Sequence, residues 1–159
     1  MQSAPGAGTT FTIYLPAIAA AAATAAAPGV PAGTRTGRIL VMDDDESVRS
    51  IAGQLLAALG HEAVLAERGE TALEEYRSAL EAGRPFDIVI LDLTIRGGMG
   101  GAETMRRLLE IDAGVKAVVS SGYSNDEVTS SFREHGFRAF LKKPYRLEDL
   151  KATLDALLA

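Results

Sequence analysis

Four short apolar runs in this chain are each followed by a side chain able to do chemistry. Ile39-Leu40-Val41-Met42 is followed by Asp43, Asp44 and Asp45, and Phe86 to Leu91 by Asp92. Val115 to Val119 leads to Ser121, and Ala139-Phe140-Leu141 leads to Lys143-Pro144. Taken singly these mean little: an Asp after a strand is usually a helix cap, a Ser there usually a turn residue, and Lys-Pro is common in loops. Brought to one edge of one sheet, they assemble two or three carboxylates, a hydroxyl and an ammonium, a set suited to a divalent cation and a phosphoryl group. Carboxylates sharing a cleft repel by about 4 kcal/mol per pair at about 4 Å and an effective dielectric near 20. A hard cation relieves that repulsion, and Mg²⁺ typically takes one or two carboxylates together with oxygens from carbonyls and water. A phosphoryl group arriving at Asp92 brings further negative charge, which Mg²⁺ and Lys143 would offset.

The elements that must position these residues are legible from periodicity. Runs bounded by polar residues, as at Ile39–Met42, have the length and character of strands buried on both faces. Between them, Val48, Ile51, Ala52, Leu55, Leu56 and Leu59 recur at helical spacing, with Gly60 closing the helix. The alternation repeats: Ala63–Ala66 precedes a helix carrying Ala72, Leu73, Tyr76 and Leu80, and Phe86–Leu91 one carrying Met105, Leu108 and Leu109. Val115–Val119 precedes a helix opened by the capping-box pair Ser124 and Glu127, and Ala139–Leu141 one carrying Leu147, Leu150, Leu154, Leu157 and Leu158. Five strands alternating with five helices predict an α/β fold, a doubly wound (βα)5 flavodoxin-like parallel sheet of order 2-1-3-4-5. Such a sheet carries its site beyond the carboxyl ends of its strands, where the reactive residues fall.

Composition narrows the function classes. With 159 residues, 47% hydrophobic and 23% charged, the chain has room for one ordinary globular domain and an appendage. A net charge of −5 provides no basic footprint, so no nucleic-acid partner is expected. Absence of cysteine removes disulfides and thiolate metal sites and fits a reducing, cytoplasmic setting. No Lys or Arg precedes Arg35, and Pro16 interrupts the apolar stretch Phe11–Ala27, which argues against a secretory leader. That stretch is also too short and alanine-rich to span a bilayer, so no membrane contact is expected.

The segments RILVMDDDE, FDIVILDL, VVSSGYS and FLKKPY resemble, in order and spacing, the motifs of response-regulator receiver domains, from residue 38 to the C-terminus. The resemblance implies that Asp43 and Asp44 hold Mg²⁺ together with Asp92 and the backbone carbonyl of Thr94. Asp92 matches the aspartate that accepts a phosphoryl group from a phosphohistidine. Ser121 and Lys143 match the residues that contact that group, and Phe140 matches an aromatic rotamer switch. The partners implied are a histidine kinase or a histidine phosphotransfer protein, with dimerisation through the fourth helix, fifth strand and fifth helix as a possibility the family carries. On this reading the chain has at most self-phosphorylation and autodephosphorylation activity. The loop after Asp92 departs from the family. Ile95-Arg96 stands where Met-Pro is usual, and Gly97-Gly98-Met99-Gly100-Gly101 replaces Asp-Gly with an extra residue. No GxxxxGK[ST] follows these glycines, so they read as an ordinary loop, with no nucleotide site.

Two rival readings stand beside this one. Asp43-Asp44-Asp45-Glu46-Ser47 resembles the DxDx[TV] motif of haloacid-dehalogenase-type phosphatases with Asp43 as nucleophile, which would leave Asp92 without a role beside it. The other is a pseudo-receiver, a pure interaction module, against which the full set of reactive positions argues. The histidines offer no phosphodonor: His61 enters a predicted strand, and His135 precedes Gly136 at a helix end.

The opening residues have another texture. GAGTTFTIYLP, residues 6–16, resembles the last glycine turn and strand of a histidine-kinase ATP-binding domain. Residues 17–37 form an Ala/Pro/Gly linker. Remnant (1–16), linker (17–37) and receiver (38–159) together have the order of a hybrid histidine kinase's C-terminal part. The remnant is expected to lack sheet partners and to bind no ATP. With no output domain after Ala159, the signal is expected to leave by protein contact.

Overall fold

The computed structural model describes residues 2–4, 8–10, 35–122 and 132–159. Near the N-terminus, β1 (Gln2–Ala4) pairs antiparallel with β2 (Gly8–Thr10). The expectation that the glycine turn leads into a strand without partners is therefore corrected for Gly8–Thr10, which has one; Phe11 to Pro16 lie outside the described residues.

From residue 38 the chain alternates as the periodicity predicts: β3 (Arg38–Met42), α1 (Glu46–Ala58), β4 (Glu62–Ala66), α2 (Gly69–Glu81), β5 (Ile88–Asp92), α3 (Gly101–Ile111), β6 (Ala117–Ser121), β7 (Ala139–Lys142) and α4 (Leu147–Leu158). The helix expected from Ser124 and Glu127 falls outside the described residues. The five strands β3 to β7 are parallel in the order β4-β3-β5-β6-β7, the predicted 2-1-3-4-5. β5 and β6 begin two residues later than the apolar runs suggest and extend further, so Asp92 and Ser121 are the last residues of strands rather than the first beyond them.

Alternation along each strand divides the core in two. Leu40, Met42, Val89, Leu91, Ala117 and Val119 face one side, where Ala72, Leu73 and Tyr76 of α2 and Met105 and Leu108 of α3 meet them. Ile39, Val41, Ile88, Ile90 and Val118 face the other, against Ala52 and Leu56 of α1 and Leu150, Leu154 and Leu158 of α4. Both faces of β5 and β6 are thus covered, which explains why these strands read as continuous apolar runs rather than alternating ones. Each fully buried Leu, Ile or Val contributes about 1.5–3 kcal/mol, so β5, with Ile88, Val89, Ile90 and Leu91 all buried, holds Asp92 on a firmly packed strand. Gly60 follows the C-cap Leu59 of α1 at φ 86°, the left-handed conformation predicted for it.

Candidate functional site at the carboxyl edge of the sheet

Strand register brings the reactive residues together. Asp92 of β5 lies opposite Ser120 of β6, and Ser121 lies opposite Lys142 of β7. Lys143 therefore emerges one residue beyond Ser121's partner. Asp43 continues from β3, its N–H donating to the Ala66 carbonyl at 3.1 Å. Asp43, Asp44, Asp92, Thr94, Ser121 and Lys143 all line one cleft, joined by Asp45, Val48, Arg96 and Gly122.

Asp43, Asp44 and Asp92 each place a carboxylate oxygen within 4.8 Å of the other two. Asp43 is 1% exposed and Asp92 7%. The Lys143 ammonium bridges both, 2.5 Å from Asp43 Oδ2 and 2.9 Å from Asp92 Oδ2. The three grouped carboxylates outnumber the one ammonium that bridges two of them. Burial pushes the Asp92 carboxyl above its ordinary pKa; Lys143 pulls it back only in part, and Asp43 adds to the rise. Burial opposes the charged form of Lys143 too, but its bonds to Asp43 and Asp92 prevail and hold its pKa above the usual lysine value. This donor set fits a hard divalent ion: three carboxylate oxygens from side chains grouped within 4.8 Å of one another.

The third aspartate of the triplet does something else. Asp45 is the N-cap of α1, accepting from the N–H of Ser47 at 2.8 Å and of Val48 at 3.3 Å. Those backbone bonds hold its carboxyl below the usual range. Capping engages the Asp45 carboxylate with the helix, so Asp45 lines the cleft but is not one of the three grouped acids. Asp43 Oδ1 accepts from the Asp45 N–H at 3.1 Å, and the Arg49 guanidinium donates to the Asp43 carbonyl at 2.6 Å. The segment is thereby held from both ends.

Ser121 is buried at the cleft wall. Phe140 is partly buried against the α2/α3 side of the core and does not line the cleft. The haloacid-dehalogenase reading gives Asp92 no role beside Asp44, whereas carboxylate oxygens of the two lie within 4.8 Å of each other, the placement that the receiver reading needs. His61 is buried and its Nδ1 accepts the Gly37 N–H at 3.0 Å, a structural role at the opposite end of β4 from the cleft. His135 is exposed in the turn before Gly136.

The glycines after Asp92 have a physical reason that a loop reading misses. A methyl group on Gly101 would lie 2.4 Å from the Asp92 carbonyl oxygen, and one on Gly100 2.8 Å from that of Leu93. Their lack of a side chain lets α3 begin directly against the strand that carries the site. Arg96 is a cleft residue that the sequence reading missed, and Tyr145 is a neighbour of the cleft that it missed as well. The Arg96 N–H donates to Asp44 Oδ2 at 3.1 Å, and the Tyr145 hydroxyl shares a 2.7 Å hydrogen bond with Ser120 Oγ. Burial pushes the Tyr145 phenol up to about 12. The unusual Ile95-Arg96 pair signalled that this loop was special, but nothing local indicated which acid it would meet.

The geometry has counterparts among known proteins. A model described as the response regulator receiver domain matches residues 39–155. Transcriptional regulatory protein ZraR of Escherichia coli O157:H7 is 32% identical over 121 residues, 76% of this chain but 26% of ZraR, so the chain spans about a quarter of that relative's length. Sporulation initiation phosphotransferase F of Bacillus subtilis is 25% identical over 72% of this chain and 87% of its own. Among solved structures, the chemotaxis protein CheY4 of Vibrio cholerae superposes with a TM-score of 0.70 at 24% identity, covering 78% of this chain and 100% of that one, which speaks to the fold. Over residues 39–155 the chain belongs to the response regulator receiver domain family.

Proposed function

We propose that this chain is a Mg²⁺-dependent phosphoacceptor of a two-component phosphorelay, with Asp92 taking the phosphoryl group from a phosphohistidine. The observation that carries the reading is the Asp92 carboxylate, buried at a strand end, within 4.8 Å of Asp43 and Asp44 and 2.9 Å from the Lys143 ammonium. Asp43, Asp44 and Asp92 would hold Mg²⁺, with the Thr94 carbonyl completing the protein's share, and the ion would neutralise charge on the phosphoryl oxygens. An ionised oxygen of Asp92 attacks phosphorus and forms an acyl phosphate. The nitrogen–phosphorus bond breaks, its electron pair returns to the donor imidazole, and that nitrogen takes a proton. Lys143, held protonated by its two carboxylates, transfers one of its contacts from Asp92 to a phosphoryl oxygen. Ser121 donates a hydrogen bond to another. As Ser121 moves toward the phosphoryl group, Phe140 turns into the space it leaves, biasing a two-state element. Phe has no hydroxyl, so its inward position leaves no polar group unpaired.

On this reading the partners are a histidine kinase or a histidine phosphotransfer protein, and the setting is cytoplasmic. Among the described residues no helix is long and apolar enough to cross a membrane. The signal leaves through the surface of β7, α4 and the segment between β6 and β7, which is also the face for any dimer. Residues 1–16 are the end of a histidine-kinase ATP-binding domain and 17–37 its linker, making the chain part of a hybrid kinase. The test is incubation with Mg²⁺ and acetyl phosphate followed by intact mass. One added phosphoryl group is expected in the wild type and none in Asp92→Asn or in chelator. An adduct that persists in Asp92→Asn would overturn the assignment.

A further inference from the structure

The backbone N–H of Arg96 occupies Asp44 in a way the usual residue at its position does not permit. The family ordinarily places Pro there, and Pro has no amide hydrogen. In this chain the Arg96 N–H donates to Asp44 Oδ2 at 3.1 Å across 52 residues of sequence. Asp44 is one of the three acids whose carboxylate oxygens lie within 4.8 Å of one another. Arg96 also belongs to the lining of the cleft, and its exposed side chain carries a positive charge near a site proposed to take a cation.

The loop that delivers this amide is anchored behind it. Gly97 turns the chain at φ 71° immediately after Arg96. The Met99 N–H reaches the Glu70 carboxylate at 3.3 Å, and the Met99 carbonyl accepts the Gly69 N–H at 3.1 Å. The Gly101 N–H donates to the Leu93 carbonyl at 3.3 Å, closing the loop on itself. Gly69 has no room for a side chain, since a methyl there would meet Met99 O at 2.8 Å. Arg96 is therefore presented to Asp44 by a strap tied to the start of α2 and to the end of β5.

From this we infer that the Arg96 amide is a built-in competitor for the cation at Asp44, lowering the affinity of this receiver for Mg²⁺ relative to one with proline at that position. The inference rests on the metal site proposed above. A hydrogen bond to an ionised carboxylate is among the stronger ones, and a ligand oxygen engaged by it is a poorer donor to a metal. Where the ion takes Asp44 through Oδ2, the oxygen that the Arg96 amide holds, binding displaces the amide, and metal occupancy is then read out in the loop between β5 and α3. The guanidinium adds a second, salt-screened repulsion.

The experiment measures Mg²⁺ affinity by calorimetry on the full chain and on Arg96→Pro and Arg96→Ala, without phosphodonor. Arg96→Ala removes the charge and keeps the amide; Arg96→Pro removes both. The expected result is tighter binding in Arg96→Pro than in Arg96→Ala by about fivefold, a modest part of what a charge-assisted bond contributes. In wild type, the Arg96 amide resonance should shift and lose hydrogen-exchange protection as Mg²⁺ is added, a readout that does not depend on the proline variant folding. Equal affinity in the two variants overturns the competition. So does weaker binding in Arg96→Pro, which would mean that the amide orients Asp44 for the metal. An Arg96 amide that stays protected at saturating Mg²⁺ has the same consequence. Absence of Mg²⁺ binding in all three proteins would refute the metal site itself and the inference with it.

Discussion

Replacing Asp92 by Asn should make the protein more stable, even though it removes the proposed reactive group. Asp92 is attracted by Lys143 at 2.9 Å and repelled by the carboxylates of Asp43 and Asp44 within 4.8 Å. At an effective dielectric of about 20 the attraction is roughly 6 kcal/mol and each repulsion at least about 3.5 kcal/mol. The two repulsions together exceed the single attraction by about 1 kcal/mol, and burial adds to the cost of the charge. The direction agrees with the raised pKa of Asp92, which burial causes first and the Asp43 charge adds to, against the pull of the lysine beside it. Asp92→Asn should therefore gain about 1 kcal/mol, a rise of roughly 4 °C in Tm for a domain of this size. The assay is thermal unfolding by circular dichroism in chelator at pH 7.5. A raised folded-state pKa means that the favourable contribution of Asp92 is fully present below its unfolded value near 3.8 and is lost as pH rises through the folded value. Accordingly the advantage of Asn should shrink as pH falls through that window, because wild-type Asp92 becomes neutral too. Adding Mg²⁺ at about ten times its Kd should stabilise wild type by roughly 1.4 kcal/mol and the variant less. A lower Tm for Asp92→Asn in chelator, or an advantage that grows toward acid pH, would refute the electrostatic account.

Three further outcomes follow from single contacts. His61 Nδ1 accepts the Gly37 N–H and burial lowers its pKa, so its contribution to stability is present above about pH 6.5 and is lost as pH falls through the lowered folded value; His61→Asn, which keeps an acceptor, should flatten the pH dependence of Tm there. Gly101→Ala should cost more than about 2 kcal/mol in urea unfolding, because the new methyl meets the Asp92 carbonyl at 2.4 Å and neither backbone can yield without moving the site; unchanged stability would show that α3 can back away. Deleting residues 1–36 should leave Tm and phosphorylation unchanged, whereas a substantial drop in Tm, or nucleotide binding by the full chain in calorimetry, would make that segment an integral part of the domain.

The sequence by itself determined the five strands of the parallel sheet, the four described helices that follow them and the order of that sheet, because each rests on short-range periodicity. Ile39/Val41 and Leu40/Met42 had to face opposite sides, and helical spacing at Ala52 and Leu56 or Leu150 and Leu154 had to cover them. Handedness of the crossovers then left one common order, so Asp43, Asp92, Ser121 and Lys143 arrived at one edge without any contact being known. Tertiary structure decided what each residue does there. Three consecutive aspartates look alike in sequence, yet Asp45 caps α1 while Asp43 lies buried against Lys143, because the backbone turns into the helix at that point. Glycines 100 and 101 looked like slack and proved to be clearance for α3 against β5, a requirement set by atoms of another segment. The same holds for Arg96 and Asp44: their hydrogen bond depends on where two loops end, and no local pattern of residues encodes a meeting between positions 52 apart.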